Sequence, residues 1–242
     1  MGGIEGATER ASEDKFYSEN FTETFDCISK ASAILKQCSF YKLKSVHKSP
    51  HYDLSDFKTT FYNINGNQSN FDAFSAELDT QTAKYSVIAI AETNISAEKG
   101  DMFRINNYSH FYNDKIPNKS KGTGVCLYVH GSFNATLNEK LCITSPDIES
   151  LFVTVNKGDS KVNVGVVYRS PNGDAKKFMK ELTHLQSLFP KNMKAIILGD
   201  YNFNLFKNET PSVNKFEDTI LASGFFPLIS LTTHSISEKQ HS

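Results

Sequence analysis

The sequence predicts an α/β domain, and three observations carry that prediction. Short apolar runs that stop at a polar group, as in KYSVIAIAETN (Lys84 to Asn94) and AIILGDYNFNLF (Ala195 to Phe206), read as buried strands that deliver carboxylates to their carboxyl ends. Segments with apolar residues three and four apart fall between strand candidates, as helices do in α/β folds. The alternating stretches ESLFVTVN (Glu149 to Asn156) and KVNVGVVY (Lys161 to Tyr168) flank Lys157-Gly-Asp-Ser160, a β-hairpin with a short Gly-containing loop.

Length and composition set the bounds. A chain of 242 residues with 39% hydrophobic and 22% charged content suits one sizeable core plus a tail. A net charge of -1 and a pI near 6.7 exclude a generally basic nucleic-acid coat, so any phosphate-binding surface must be a local concentration of Lys and Arg. Cys27, Cys38, Cys126 and Cys142 have neither CxxC spacing nor the density of a disulfide framework, which argues against zinc and makes them packing residues in a reducing compartment. No apolar run reaches the roughly 18–20 residues of a membrane span, and the polar start of the chain has no secretory core. The expectation is a soluble intracellular protein, cytoplasmic or nuclear, that does not engage a membrane.

Residues 1–56 read as a disordered N-terminal tail with a short helix, Thr22 to Cys38, and a linker, Ser45 to Asp56. From Phe57 the chain turns regular: FKTTFYNINGNQ is a strand running into Asn63, Asn65 and Gly66. Ser69 to Ala83 has Phe71, Phe74 and Leu78 at helical spacing, with Ser69 or Asn70 as cap. Glu98 to Ser120 reads as a long irregular connection whose Arg104 and Lys115 and Lys119, with Lys121 beyond, are the local cations for a polyphosphate. Gly122-Thr-Gly124 opens the strand VCLYV without the spacing of a phosphate loop. Asp174 to Leu188 is a helix capped by Asp174, and Val213 to Ala222 a helix closed by Gly224. The final stretch from Phe225 begins as a strand.

Asp200 and Asn202 stand two residues apart, so in an extended chain they share one side and an acceptor and an amide converge on one ligand. Read alone, GDYN is equally a polar turn after a core strand, and Glu92 equally a surface acid. Tyr168, followed by Arg169-Ser-Pro171-Asn, leaves a phenol at the same kind of strand end.

In order, the chain shows YNING, AETN, VVYRSPN and GDYN, each at the end of a predicted strand. This series resembles the endonuclease/exonuclease/phosphatase superfamily, the deoxyribonuclease I-like proteins, and most of all the apurinic/apyrimidinic-type endonuclease domains of non-LTR retrotransposons. The resemblance covers residues 57–242. It implies a four-layer α/β/β/α sandwich, a divalent metal (Mg2+ or Mn2+) at one rim, nucleic acid, DNA above all, as partner, and phosphodiester hydrolysis. It places Asn63 and Glu92 on the metal, Tyr168 on the scissile phosphate, Asp200 on the attacking water, and Asn202 beside Asp200 as its amide partner. The chemistry suits these types: a hard cation takes carboxylate and carbonyl oxygens, and an in-line water needs an acceptor to aim it.

Two departures qualify the resemblance. Asn65 stands where the apurinic/apyrimidinic branch has a metal-binding Asp. The sequence also ends at Ser242, soon after Thr232 and Thr233 and before the family's Ile-Asp and Ser-Asp-His patterns, which implies a C-terminally truncated domain lacking its final strands, with weak or no turnover. Two other readings stay open at this stage: a phosphatase acting on a small or lipid phosphate, and a non-enzymatic interaction module that retains the fold.

Overall fold

The computed structural model describes residues 57–226, apart from 67, 81–83, 96, 114–115, 118–120, 158–159, 191–193 and 204–210. The expectations for the N-terminal tail, helix and linker, for Cys27 and Cys38, and for the stretch from Pro227 through Thr232 and Thr233 lie outside the described residues. Described residues up to Thr219 form one compact unit; Ile220 to Phe226 are the end of the last helix and its turn.

Two mixed sheets make the frame. The first has the order β1 (Thr59–Asn63), β2 (Val87–Ala91), β4 (Val125–His130), β3 (Tyr108–Asn113), with β1 and β2 parallel and the other pairs antiparallel. The second has the order β5 (Asn134–Leu137), β7 (Glu149–Lys157), β8 (Ser160–Tyr168), β9 (Lys194–Asp200), with the two-residue β6 (Ile143–Thr144) also on β7. Here β7 and β8 are the expected hairpin, with Glu149 opposite Tyr168, and β8 and β9 run parallel, with Tyr168 opposite Asp200.

The period of two along each strand builds the core between the sheets. Val87, Ala89 and Ala91 of β2 and Val125, Leu127 and Val129 of β4 meet Leu151, Val153 and Val155 of β7 and Val164, Val166 and Tyr168 of β8. The intervening residues face outward and are covered by helices, which is why β2 has no polar position at all. Helix α1 (Gln68–Thr80) lays Phe71, Phe74 and Leu78 against Ile88, Ile90 and Tyr128. Burying one such side chain contributes about 1.5–3 kcal/mol. Helix α2 (Ala175–Ser187) buries Phe178, Met179, Leu182 and Leu185, and Phe189 just past it meets Phe152 of β7 edge-on at 5.3 Å. Asp174 caps α2 as expected, accepting from the amides of Lys176 (2.8 Å) and Lys177 (3.2 Å), which hold its carboxyl below the usual range. Helix α3 (Pro211–Ala222) closes on Gly224 at φ +76°, whose amide reaches Leu221 O at 2.9 Å. The layers are helix, sheet, sheet, helix.

Two expectations change, and two short strands are new. The connection from Glu98 to Ser120 is not irregular throughout: it holds a 3-10 turn (Ala97–Met102) and β3, whose mixed YSHFYN composition hides the alternation because this edge strand is only half-buried. The short β5 and β6 had no expectation. Neither Ser69 nor Asn70 is the cap of α1, since the helix starts at Gln68; Asn70 instead donates from its first turn to Ile64 O (2.8 Å) and Asn65 O (3.3 Å), tying down the loop after β1.

Candidate active site

Four strands end at one rim, and residues at or just past their ends touch. Asn63, ending β1, donates from Nδ2 to Glu92 Oε1 at 2.8 Å and to Asp200 Oδ2 at 3.3 Å. Glu92 directly follows β2, and Tyr168, ending β8, donates its hydroxyl to Glu92 Oε1 at 3.0 Å. Asn63, Glu92, Tyr168 and Asp200 thus form one hydrogen-bonded cluster spanning both sheets. Asn202 belongs to the same loop as Asp200, but the two side chains do not lie side by side. The chain leaves the extended conformation at Asn202 (φ +49°), so its Nδ2 turns to Arg169 O (2.6 Å) while its backbone amide donates to Asp200 Oδ1 (3.0 Å).

The loops of this rim are strained. Asn65, Glu92, Asn94 and Asn202 all adopt left-handed φ values, between +45° and +56°. For Glu92, which gains no local Asx-type bond from it, the conformation costs about 1 kcal/mol or more. Neighbouring strand ends impose it: the amide of Gly66 donates to Glu92 O (2.7 Å), Thr93 N to Gly124 O (3.1 Å) and Asn94 N to Thr123 O (2.8 Å). A Cβ on Gly66 would collide with the carbonyls of Glu92 and Thr93, so only glycine lets the two strand ends close. Gly122, at φ +65°, faces the Tyr168 hydroxyl, 3.4 Å from where its Cβ would be.

Negative charge converges on the phenol. Burial, then the Glu92 carboxylate, then Asp200 and Glu149, push the Tyr168 hydroxyl far above the ordinary tyrosine range, so it acts as a proton-bearing donor. Glu149 is buried opposite Tyr168; its Oε2 accepts from the Thr123 hydroxyl (3.1 Å) and the Gly124 amide (2.7 Å), which fixes the Gly122 turn. Arg169 is buried too, and its guanidinium donates to Tyr201 O (2.7 Å), Asn202 O (2.8 Å) and Gly173 O (3.0 Å) while stacking 4.3 Å from the Phe203 ring. Burial lowers its pKa, with Asp200 and Tyr168 opposing that shift.

Sequence reasoning singled out neither Glu149, Thr123, Asn94 nor Arg169 for the site. The hairpin held a signal for Glu149, since pairing its arms end to end sets Glu149 opposite Tyr168. Arg169 gave none, because nothing local shows that three carbonyls surround it. Of the cations proposed for phosphate, Arg104 and Lys121 are exposed, Lys121 next to Gly122, and Lys115 and Lys119 lie outside the described residues.

The donor set fits a hard divalent cation. The Glu92 and Asp200 carboxylates are the kind of oxygen donor a hard cation takes, one or two at a time beside its own waters. Both side-chain bonds of Glu92 fall on Oε1, leaving Oε2 without a donor among the described residues. Asn63 presents its NH2 to both carboxylates, and its Oδ1 accepts from the Asn65 amide at 3.1 Å, so carbonyl ligation by Asn63 requires its amide to turn over.

A two-sheet α/β sandwich with a carboxylate-lined rim is the class these features define. Its strand order and layering are those of a deoxyribonuclease I-like α/β sandwich. The endonuclease domain of TRAS1, a telomere-specific non-LTR retrotransposon, is similar at 14% identity over 69% of this chain and 72% of that one, with a TM-score of 0.53. The AP endonuclease LMAP from Leishmania major is similar at 14% identity over 80% of this chain and 77% of that one, with a TM-score of 0.53. Neither protein-family models nor curated proteins match the sequence. No helix among the described residues is long and apolar enough to cross a membrane.

Proposed function

We propose that this chain is a metal-dependent phosphodiesterase of the retroelement endonuclease type, acting on nucleic acid, DNA foremost, with magnesium or manganese. The observation that carries the reading is the single cluster in which Asn63, Glu92, Tyr168 and Asp200 meet from four strand ends. The block order YNING, AETN, VVYRSPN and GDYN supports the retroelement type. The names of the two similar structures, an endonuclease domain and an AP endonuclease, support nucleic acid as substrate.

Glu92 is the residue that would hold the cation through Oε2, with Asn63 beside it. A bound divalent ion supplies neutralisation of the charge that develops on the phosphate oxygens. Asp200 aims a water at phosphorus and takes its proton as the new P–O bond forms and the ester P–O bond breaks, the departing alkoxide being protonated from solvent. Tyr168, kept protonated by its surroundings, donates to a phosphate oxygen. Asn202 holds Asp200 by capping Oδ1 through its backbone amide.

Nicking of supercoiled plasmid tests the reading. Open circles should appear with magnesium, vanish with a chelator, and fall by at least about 10² in rate in Asp200→Ala. Hydrolysis of a small phosphate monoester without nicking would favour the phosphatase, and neither activity in the presence of metal would leave an interaction module.

A further inference from the structure

The VVYRSPN and GDYN segments are closed into one ring around Arg169. Its amide donates to Asp200 O (3.0 Å), its carbonyl accepts from Asn202 Nδ2 (2.6 Å), and its guanidinium donates to Asn202 O (2.8 Å). The remaining link is Asn202 N to Asp200 Oδ1 (3.0 Å), so the carboxylate is held by an amide whose carbonyl and side chain are both held by Arg169. Two further bonds, to Tyr201 O and Gly173 O, and the Phe203 ring under the guanidinium place that group. Beneath it, Tyr201 and Phe203 pack on Phe178 of α2 and Phe216 of α3.

Such a buried arginine is unusual in what it bonds. Its guanidinium donates to three backbone carbonyls, a forked arrangement that a lysine ammonium with one point of charge cannot reproduce. It does not open onto the rim, because only 6% of its surface is exposed. We infer that Arg169 is a positioning residue: its guanidinium holds the Tyr201–Phe203 turn in the left-handed form that locks Asp200 Oδ1 and leaves Oδ2 to face the reacting water. This rests on the hydrolytic reading of Asp200, but the geometric half is measurable without activity.

The test uses Arg169→Lys and, as a milder change that keeps the guanidinium and its carbonyl cage, Phe203→Leu. Hydrogen exchange followed by NMR should show the Asn202 amide protected in the parent chain and exchanging at least about tenfold faster in Arg169→Lys, with amides of β8 unchanged. In magnesium-dependent nicking, kcat should fall about 10- to 100-fold with KM within twofold, because a misplaced carboxylate costs rate rather than binding. Phe203→Leu should shift both readouts the same way by less. An unchanged Asn202 amide in Arg169→Lys overturns the inference, as does a loosened turn with kcat intact below the melting temperature, which would mark Arg169 as structural only. A parent chain that never nicks defeats the hydrolytic reading instead, while the exchange comparison still decides whether Arg169 holds the turn.

Discussion

Asn63 and Asp200, each the last residue of a strand that pairs in parallel within its own sheet, meet at 3.3 Å, and the same amide nitrogen lies 2.8 Å from Glu92. One NH2 group therefore spreads its two partial positive charges between two carboxylates that would otherwise repel each other across the inter-sheet seam.

Asn63→Ala removes that bridge. Without metal, the variant should lose about 1 kcal/mol of unfolding stability in urea. Added magnesium should restore more stability to the variant than it adds to the parent, since a cation then does what the amide did. Equal magnesium stabilisation of both chains would separate Asn63 from the charge balance of the site.

Glu92→Gln and Asp200→Asn should separate two roles that lie within one amide of each other. In calorimetry the first should abolish magnesium binding, because Glu92 has the open oxygen, and the second should leave it within about threefold. In nicking assays Asp200→Asn should still lose about 10²–10⁴ in kcat as the proton acceptor disappears. Loss of magnesium binding in Asp200→Asn would reassign that carboxylate to the metal.

Stability should fall in alkali. Burial pushes the hydroxyls of Tyr128 and Tyr168 well above the ordinary tyrosine value of about 10. Above about pH 10 the unfolded chain releases these protons while the native chain keeps them, so the unfolded state binds fewer protons and unfolding becomes easier as pH rises. Below pH 10 the contribution is fully present. Each tyrosine should remove about 1.4 kcal/mol per pH unit, and urea midpoints at pH 9, 10 and 11 would read it. A flat profile there would mean that the phenols are not held protonated.

Gly66→Ala should damage the fold and the site together. The added methyl collides with the carbonyls of Glu92 and Thr93, and the displacement should cost about 1–3 kcal/mol and move Glu92 out of reach of Asn63. Thermal melts and magnesium calorimetry would report the two effects. A stable variant with normal magnesium binding would show that the two strand ends have room to part.

Much of this frame was legible in local pattern because the period of a strand and the spacing of a helix are properties of neighbouring residues. VIAIA, the ESLFVTVN/KVNVGVVY hairpin and the Phe71-Phe74-Leu78 stripe state their burial directly; the first two carry Glu92 and Tyr168 to strand ends, as the AIILGD run does Asp200. The YSHFYN edge strand was hidden because half-burial removes the contrast that periodicity needs. What no local pattern holds is which strand ends meet. Parallel pairing of β1 with β2 and of β8 with β9, and the packing of the two sheets, brought Asn63 against Asp200, because contacts across a sandwich depend on register and stacking rather than on sequence spacing. The turn at Asn202 was likewise decided in three dimensions: the spacing of Asp200 and Asn202 suggested two side chains on one face, and the carbonyl cage around Arg169 rotated one of them away.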